Sequence, residues 1–234
     1  MSRNQSDVSP ALPEVDSEDA LYLRYARQGD TAALEQAMHR SADRCYAQAV
    51  RLLGIEADAQ DAVQEAFLQL VRTAPNYDGR IPFGAWLGRL VHVASLDLLK
   101  MRQRRRRRES VAAASPRVLD DSSVDGEAVR AVVTDLPERY RVVITLHYFA
   151  GLSQSDVAAA LGLKVEAVGM RLHRAREQMR AMLTRRGVAI SATAIATAIA
   201  AAPPAPAAVH AAITAITKSV VAGDLASAST SSWF

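Results

Sequence analysis

The chain has 234 residues, 28 Lys and Arg against 25 Asp and Glu, half of them apolar and 23% charged, which supplies a core for one or two small domains and argues against disorder. Its single cysteine, Cys45, excludes an internal disulfide and a cysteine-rich zinc site and fits a reducing compartment. Apolar residues recur at helical spacing and no alternating run bounded by hairpin turns occurs, so an all-α fold is expected.

Residues 1–18 carry Arg3 against Asp7, Glu14, Asp16 and Glu18, too acidic for a signal peptide, so they are expected to be a flexible acidic start to a cytoplasmic protein. A first helical domain is expected over 19–108. Gly29-Asp30 stops one helix and caps another, whose stripe runs through Leu34, Met38, Cys45, Ala49 and Leu52. Gly54 breaks that helix and Asp58 is expected to cap the next, with Val63, Ala66, Phe67, Leu70 and Val71 inside and Pro75 at its end. Pro82 suits a first helical turn. From Phe83 through Trp86, Leu87, Leu90, Val91, Ala94, Leu98 and Met101 one face continues straight into a basic run, where seven of the nine residues from Lys100 to Arg108 are cationic. Such a run is often only a solvated face, but here it extends a structured element.

Residues 109–126 collect Ser, Ala, Pro116 and acids, the composition of a flexible linker. A second domain is expected over 127–186. Val129, Val132, Val133 and Leu136 mark one short helix and Val142, Val143, Leu146 and Phe149 another. Ser153 lies three residues before Asp156, as in a capping box, and Val157, Ala158 and Leu161 face inward. Gly162 permits a tight turn into a helix with Val165, Val168, Leu172, Ala175 and Met179 inside and Arg171, Arg174 and Arg180 outside, a helix-turn-helix pattern.

A helix of that kind fits the DNA major groove, where side chains near its N-terminus reach base edges and neighbouring cations hold phosphates. The candidates are Lys164, Glu166, Ala167, Met170, Arg171 and Arg174. The Lys100–Arg108 block is a second cationic surface, whose phosphate contacts would be strongly salt-dependent. Tyr77, Phe83 and Trp86 could stack on unpaired bases, although core packing is the expected role of Phe83 and Trp86. His39, His92, His147, His173 and His210 are scattered, no Gly-rich phosphate loop or nucleophile elbow occurs, and neither enzyme activity, a metal, a cofactor nor a small-molecule substrate is expected. Asp58, Asp61 and Glu65 share part of a helix face, expected to be a solvated or partner-facing acidic surface.

Several separated motifs resemble RNA polymerase sigma factors of the compact extracytoplasmic-function type, which keep only the second and fourth conserved regions of the sigma-70 family. Asp58 to Leu68 (DAQDAVQEAFL) resembles the region-two helix that docks on the polymerase clamp, and Phe83 to Leu87 (FGAWL) the start of the promoter-melting helix. Leu136 to Arg141 (LPERYR), Gly151 to Ser153 (GLS) and Arg171 to Glu177 (RLHRARE) resemble region four. The resemblance implies two small helical domains, the first binding core RNA polymerase and the minus-ten promoter element, the second binding the minus-thirty-five element, with an anti-sigma protein as a further candidate partner. It implies polymerase contacts at Asp61, Gln64, Glu65 and Phe67, and minus-ten contacts at Tyr77, Arg80, Trp86, His92, Lys100, Arg102, Arg104 and Arg105.

The family usually has a basic residue where Gly84 stands, Arg where His92 stands, Asn where Val93 stands and Lys-Ser where Gly169-Met170 stand, departures that leave the promoter sequence open. Residues 187–234 form an Ala- and Pro-rich extension outside the resemblance, expected to be a helical hairpin that packs on the sigma domains or binds a partner rather than a membrane span. The competing expectation for the whole chain is a helix-turn-helix regulator that binds duplex DNA without polymerase.

Overall fold

A computed structural model describes residues 17–109, 124–187 and 204–224. Most of the expected acidic start and linker, and the first part of the extension, lie outside the described residues. Among the described residues there are nine α-helices and no strand. Helix α1 (Glu18–Gln28) is capped by Ser17 and ends at Gly29, after which Asp30 Oδ1 accepts the Ala33 N–H at 3.0 Å and opens α2 (Thr31–Leu53). Gly54 ends α2 with φ +70°, a left-handed backbone that favours glycine, and the Arg130 side chain lies close against it.

Helix α3 (Glu56–Thr73) starts from Ile55 without a side-chain cap. Asp58, expected to cap it, instead stands inside its first turn and pairs with Arg102 at 2.7 Å. A single 3₁₀ turn carries Pro75, and Pro82 then accepts the Ala85 and Trp86 N–H groups to start α4 (Phe83–Glu109). This helix runs unbroken into the basic block.

Then follow α5 (Val124–Asp135), α6 (Glu138–Ile144), a π-helical turn over 145–149, α7 (Gln154–Leu161) and α8 (Val165–Arg185). Ser153 Oγ accepts the Asp156 N–H at 3.1 Å and donates to Asp156 Oδ2 at 2.6 Å, the expected cap. The extension contributes α9 (Ala207–Val221), which packs on α2 and α3.

Two apolar cores result. The first combines α1 to α4, centred on Tyr22, Leu34, Met38, Phe67 and Phe83, with Val209, Ile213 and Ile216 of α9. Cys45 is buried within it and desolvation pushes its thiol pKa up to about 12, so it is a core residue with no thiolate at neutral pH. The second core gathers α5 to α8 and borrows Leu52 of α2 and Ala85 and Leu96 of α4. The two bodies therefore share a seam along α2 and α4. Arg51 Nη1 donates to the Phe149 carbonyl at 2.6 Å and Arg89 Nη1 to the Ala160 carbonyl at 3.1 Å, satisfying carbonyls at helix ends that would otherwise lack partners. No described helix is long and apolar enough to cross a membrane.

Candidate nucleic-acid and partner surfaces

Three surfaces collect the residues that the sequence singles out. On α3, apolar positions three and four apart turn Ala59, Ala62, Val63, Ala66 and Phe67 into the core, which leaves Asp61, Gln64 and Glu65 outside as an exposed row. Glu65 accepts from Gln69 at 2.8 Å and pairs with Arg72 at 3.4 Å. Phe67 is fully buried and is corrected from a partner contact to a core anchor that holds this row in register. Beside the row a groove of about 120 Å³ opens between α3 and α4, lined by Glu65, Gln69, Trp86, Arg89, Val93 and Asp97. Sequence reasoning missed Gln69 and Asp97 there; the four-residue step from Glu65 to Gln69 was the available signal for one, whereas Asp97 arrives from another helix.

The second surface is the basic end of α4 with the preceding loop. Arg80 is almost fully exposed beside Asp78, and Lys100, Arg104 and Arg105 are exposed on the last turns of α4. Lys100 pairs with Asp97 at 3.2 Å. Arg102 is the exception, half-buried in its pair with Asp58, so it ties the end of α4 to the start of α3. Three other expected contacts here are corrected. Tyr77, 5% exposed, packs its ring on Tyr22 and Trp86 and donates its hydroxyl to the Ile81 carbonyl at 3.0 Å. Trp86 is 8% exposed, a core residue whose edge meets the groove. An amphipathic helix start needs such anchors, and the first core claims both rings.

His92 is 2% exposed and lies under the second body, its Nε2 3.3 Å from Glu138 Oε1. Desolvation, the largest influence, lowers its pKa from the ordinary value. The neutral ring therefore donates Nε2–H to Glu138, and that hydrogen bond is the first cause that holds the Glu138 carboxyl down to about 2. Glu138 also pairs with Arg141.

The third surface is α8. The turn at Gly162 delivers Lys164 as the residue before the helix, and Lys164, Glu166, Met170 and Arg174 are exposed while Ala167 and Arg171 are half-buried. Met170 is 60% exposed. Gly169 has helical geometry, and a Cβ there would meet only Gln154 Oε1, at 3.3 Å, the movable end of a side chain. The helix tolerates this glycine without needing it. Among the described residues no group of three or more His, Cys, Asp or Glu could hold a metal ion.

The family model for sigma-70 region 2 matches residues 38–106 and that for sigma-70 region 4 matches residues 126–179. The chain is 33% identical over 169 residues to the ECF RNA polymerase sigma factor SigE of Mycolicibacterium smegmatis, a match covering 67% of this chain and 65% of that protein. It is 32% identical over 180 residues to RNA polymerase sigma factor CnrH of Cupriavidus metallidurans, covering 70% and 94%, and 25% identical over 176 residues to the ECF sigma factor SigW of Bacillus subtilis, covering 69% and 94%. The fold is similar to the solved structure of CnrH in complex with the cytosolic domain of CnrY, with TM-score 0.54 and 27% identity over 72% of this chain and 99% of that one.

Proposed function

This chain belongs to the extracytoplasmic-function type of the sigma-70 family, and we propose that it binds core RNA polymerase and directs promoter recognition and opening through the three surfaces just described. The observation that carries this reading is their separation. One chain presents an acidic row on α3, a cationic end on α4 and a cationic, apolar-tipped face on α8, each exposed and each on a different rigid helix.

Asp61, Gln64 and Glu65 meet polymerase, with the α3–α4 groove beside them taking an apolar side chain from the same partner. Arg80, Lys100, Arg104 and Arg105 hold the phosphates of the minus-ten element. Lys164, Glu166, Met170 and Arg174 face the minus-thirty-five duplex, with Ala167 and Arg171 at the edge of that face. Opening of the strands needs no chemical step, since trapping an extruded base offsets the few kcal/mol of unstacking. An anti-sigma protein remains a partner class suited to a chain whose structural neighbour is bound to one cytosolic domain. A regulator that works without polymerase leaves the region 2 match over 38–106 without a role.

Run-off transcription with purified core RNA polymerase and promoter fragments tests the proposal. Discrete new starts are expected with the wild-type chain, and none when Asp61→Lys and Glu65→Lys are combined, at an unchanged melting temperature. Unaltered polymerase association by the double variant would remove α3 as the contact, and no wild-type complex at all would overturn the function.

A further inference from the structure

Helix α9 lies beyond the region 4 match, which ends at residue 179, yet it is integral to the first body. It runs antiparallel to α2 in a register fixed by three ties. Asp43 Oδ1 accepts the Ala205 N–H at 2.8 Å, His39 Nδ1 lies 3.0 Å from His210 Nδ1, and the Thr214 hydroxyl donates to Glu35 Oε1 at 3.4 Å. Asp43, His39 and Glu35 stand at four-residue steps, so they form one edge of α2. The two imidazoles stack with their planes 9° apart. Inside that edge Val209, Ile213 and Ile216, at steps of four and three, are buried in the first core.

We propose that the face formed by α2 and α3 is a helix-docking surface and that α9 is its resident ligand, held in place because it belongs to the same chain. The geometry is that of an amphipathic helix laid in a groove, with apolar anchors below and polar contacts along the rim. The rim is acidic, supplied by Glu35 and Asp43. Those carboxylates are answered by the Ala205 N–H just ahead of α9 and by the Thr214 hydroxyl, both neutral, and the one formal charge of α9, Lys218, is exposed. Neutral donors make weaker bonds to a carboxylate than cations do. Residence in the groove therefore rests on the three buried aliphatic anchors and on the high effective concentration of a segment on the same chain, with little from the rim. Meanwhile Asp61, Gln64 and Glu65 remain exposed with α9 seated. The tail thus occupies the groove against other helices while leaving the proposed polymerase surface open. Only this last consequence rests on the function proposed above.

The test uses the full chain and a fluorescent peptide of residues 204–224, with binding followed by anisotropy. Ile213→Asp in the full chain places a carboxylate in the buried seam and dislodges the resident helix. The wild-type chain should capture little peptide. The Ile213→Asp chain should bind it saturably and at least about tenfold more tightly, because the intramolecular competitor is gone. A peptide carrying Ile213→Asp should not bind, and one carrying Thr214→Lys should bind more tightly than the unaltered peptide by meeting Glu35 with a cation. A variant chain with wild-type circular dichroism that captures no peptide overturns the proposal. If Ile213→Asp prevents folding, Val209→Ala combined with Ile216→Ala weakens the buried anchors of the resident helix without adding a charge, and a folded chain of that kind that captures no more peptide than the wild type overturns the proposal equally. Polymerase association should be the same for wild-type and folded variant chains. Its selective loss in the variant would refute the open polymerase surface, whereas a wild-type chain that binds no polymerase counts against the proposed function and leaves the peptide result standing.

Discussion

Helices α4 and α8 were both expected to meet DNA, and the structure treats them differently. Helix α8 packs on α5, α6 and α7 along one stripe, so Arg174 and Arg180, which spacing placed outside, are exposed, while Arg171 is half-buried and Val165, which spacing placed inside, is 44% exposed at the first turn. Helix α4 runs between α1, α2 and α3 on one side and α7 and the π turn on another. Its aromatic and imidazole candidates are consequently buried, and only its cationic end and the loop before it remain open. A helix at the rim of a body has one buried stripe, which its own periodicity shows. A helix at the centre has several, and which neighbour covers each is a non-local matter.

The contrast is sharpest in mutational cost. Trp86→Ala should destabilise the chain by about 3–5 kcal/mol, the range for emptying a large aromatic site, and should be visible in urea unfolding without any DNA present. Arg171→Ala with Arg174→Ala on α8 should instead weaken duplex binding across sequences and lower the salt slope by about 2, one for each phosphate left without its arginine. A salt titration that leaves the slope unchanged would break the comparison from the α8 side.

Protonation offers a subtler probe of the covered stretch of α4. Burial lowers the His92 pKa in the closed arrangement, so the unfolded or opened chain binds the proton more readily. The seam is fully favourable above the ordinary histidine pKa and weakens as pH falls from there toward the lowered value. Glu138, held down to about 2, stays ionised through that window and adds no titration of its own. Protection factors of the α4 and α6 amides, taken relative to the intrinsic exchange rate at each pH, should therefore fall as pH drops from about 7.5 to 5.5, and His92→Gln should remove that dependence; a variant that keeps it places the titrating group elsewhere. The smallest effect expected is on the rim helix. Gly169→Ala should stabilise the chain by up to about 1 kcal/mol, the helical advantage of alanine over glycine, with Gln154 moving aside. A destabilised variant would show that the close approach to α7 matters.

Within α3 the same logic divides neighbours two residues apart. Helical spacing placed Phe67 on the inner face, while the motif placed it among the polymerase contacts; the packing of the first core decided for the inner face. Asp58 shows the complementary case. Its identity suited a cap, but the chain enters α3 three residues earlier at Ile55, and Arg102 from the far end of α4 supplied the carboxylate with a partner. The extension behaved likewise. Its composition suggested a helical hairpin that packs on the sigma domains or binds a partner; one helix of the extension lies among the described residues, and nothing local could say that α2 would receive it edge to edge through Asp43, His39 and Glu35.

By itself the sequence determined the all-helical architecture, the breaks at Gly29, Gly54 and Gly162, the Ser153 cap and the exposed residues of α8. Each of these follows from interactions within a few positions along the chain. The tertiary structure alone decided the burial of Tyr77 and His92, the seat of α9 and the seam that joins the two bodies. Those outcomes depend on which apolar face finds which partner, a competition among distant segments that helical periodicity does not encode.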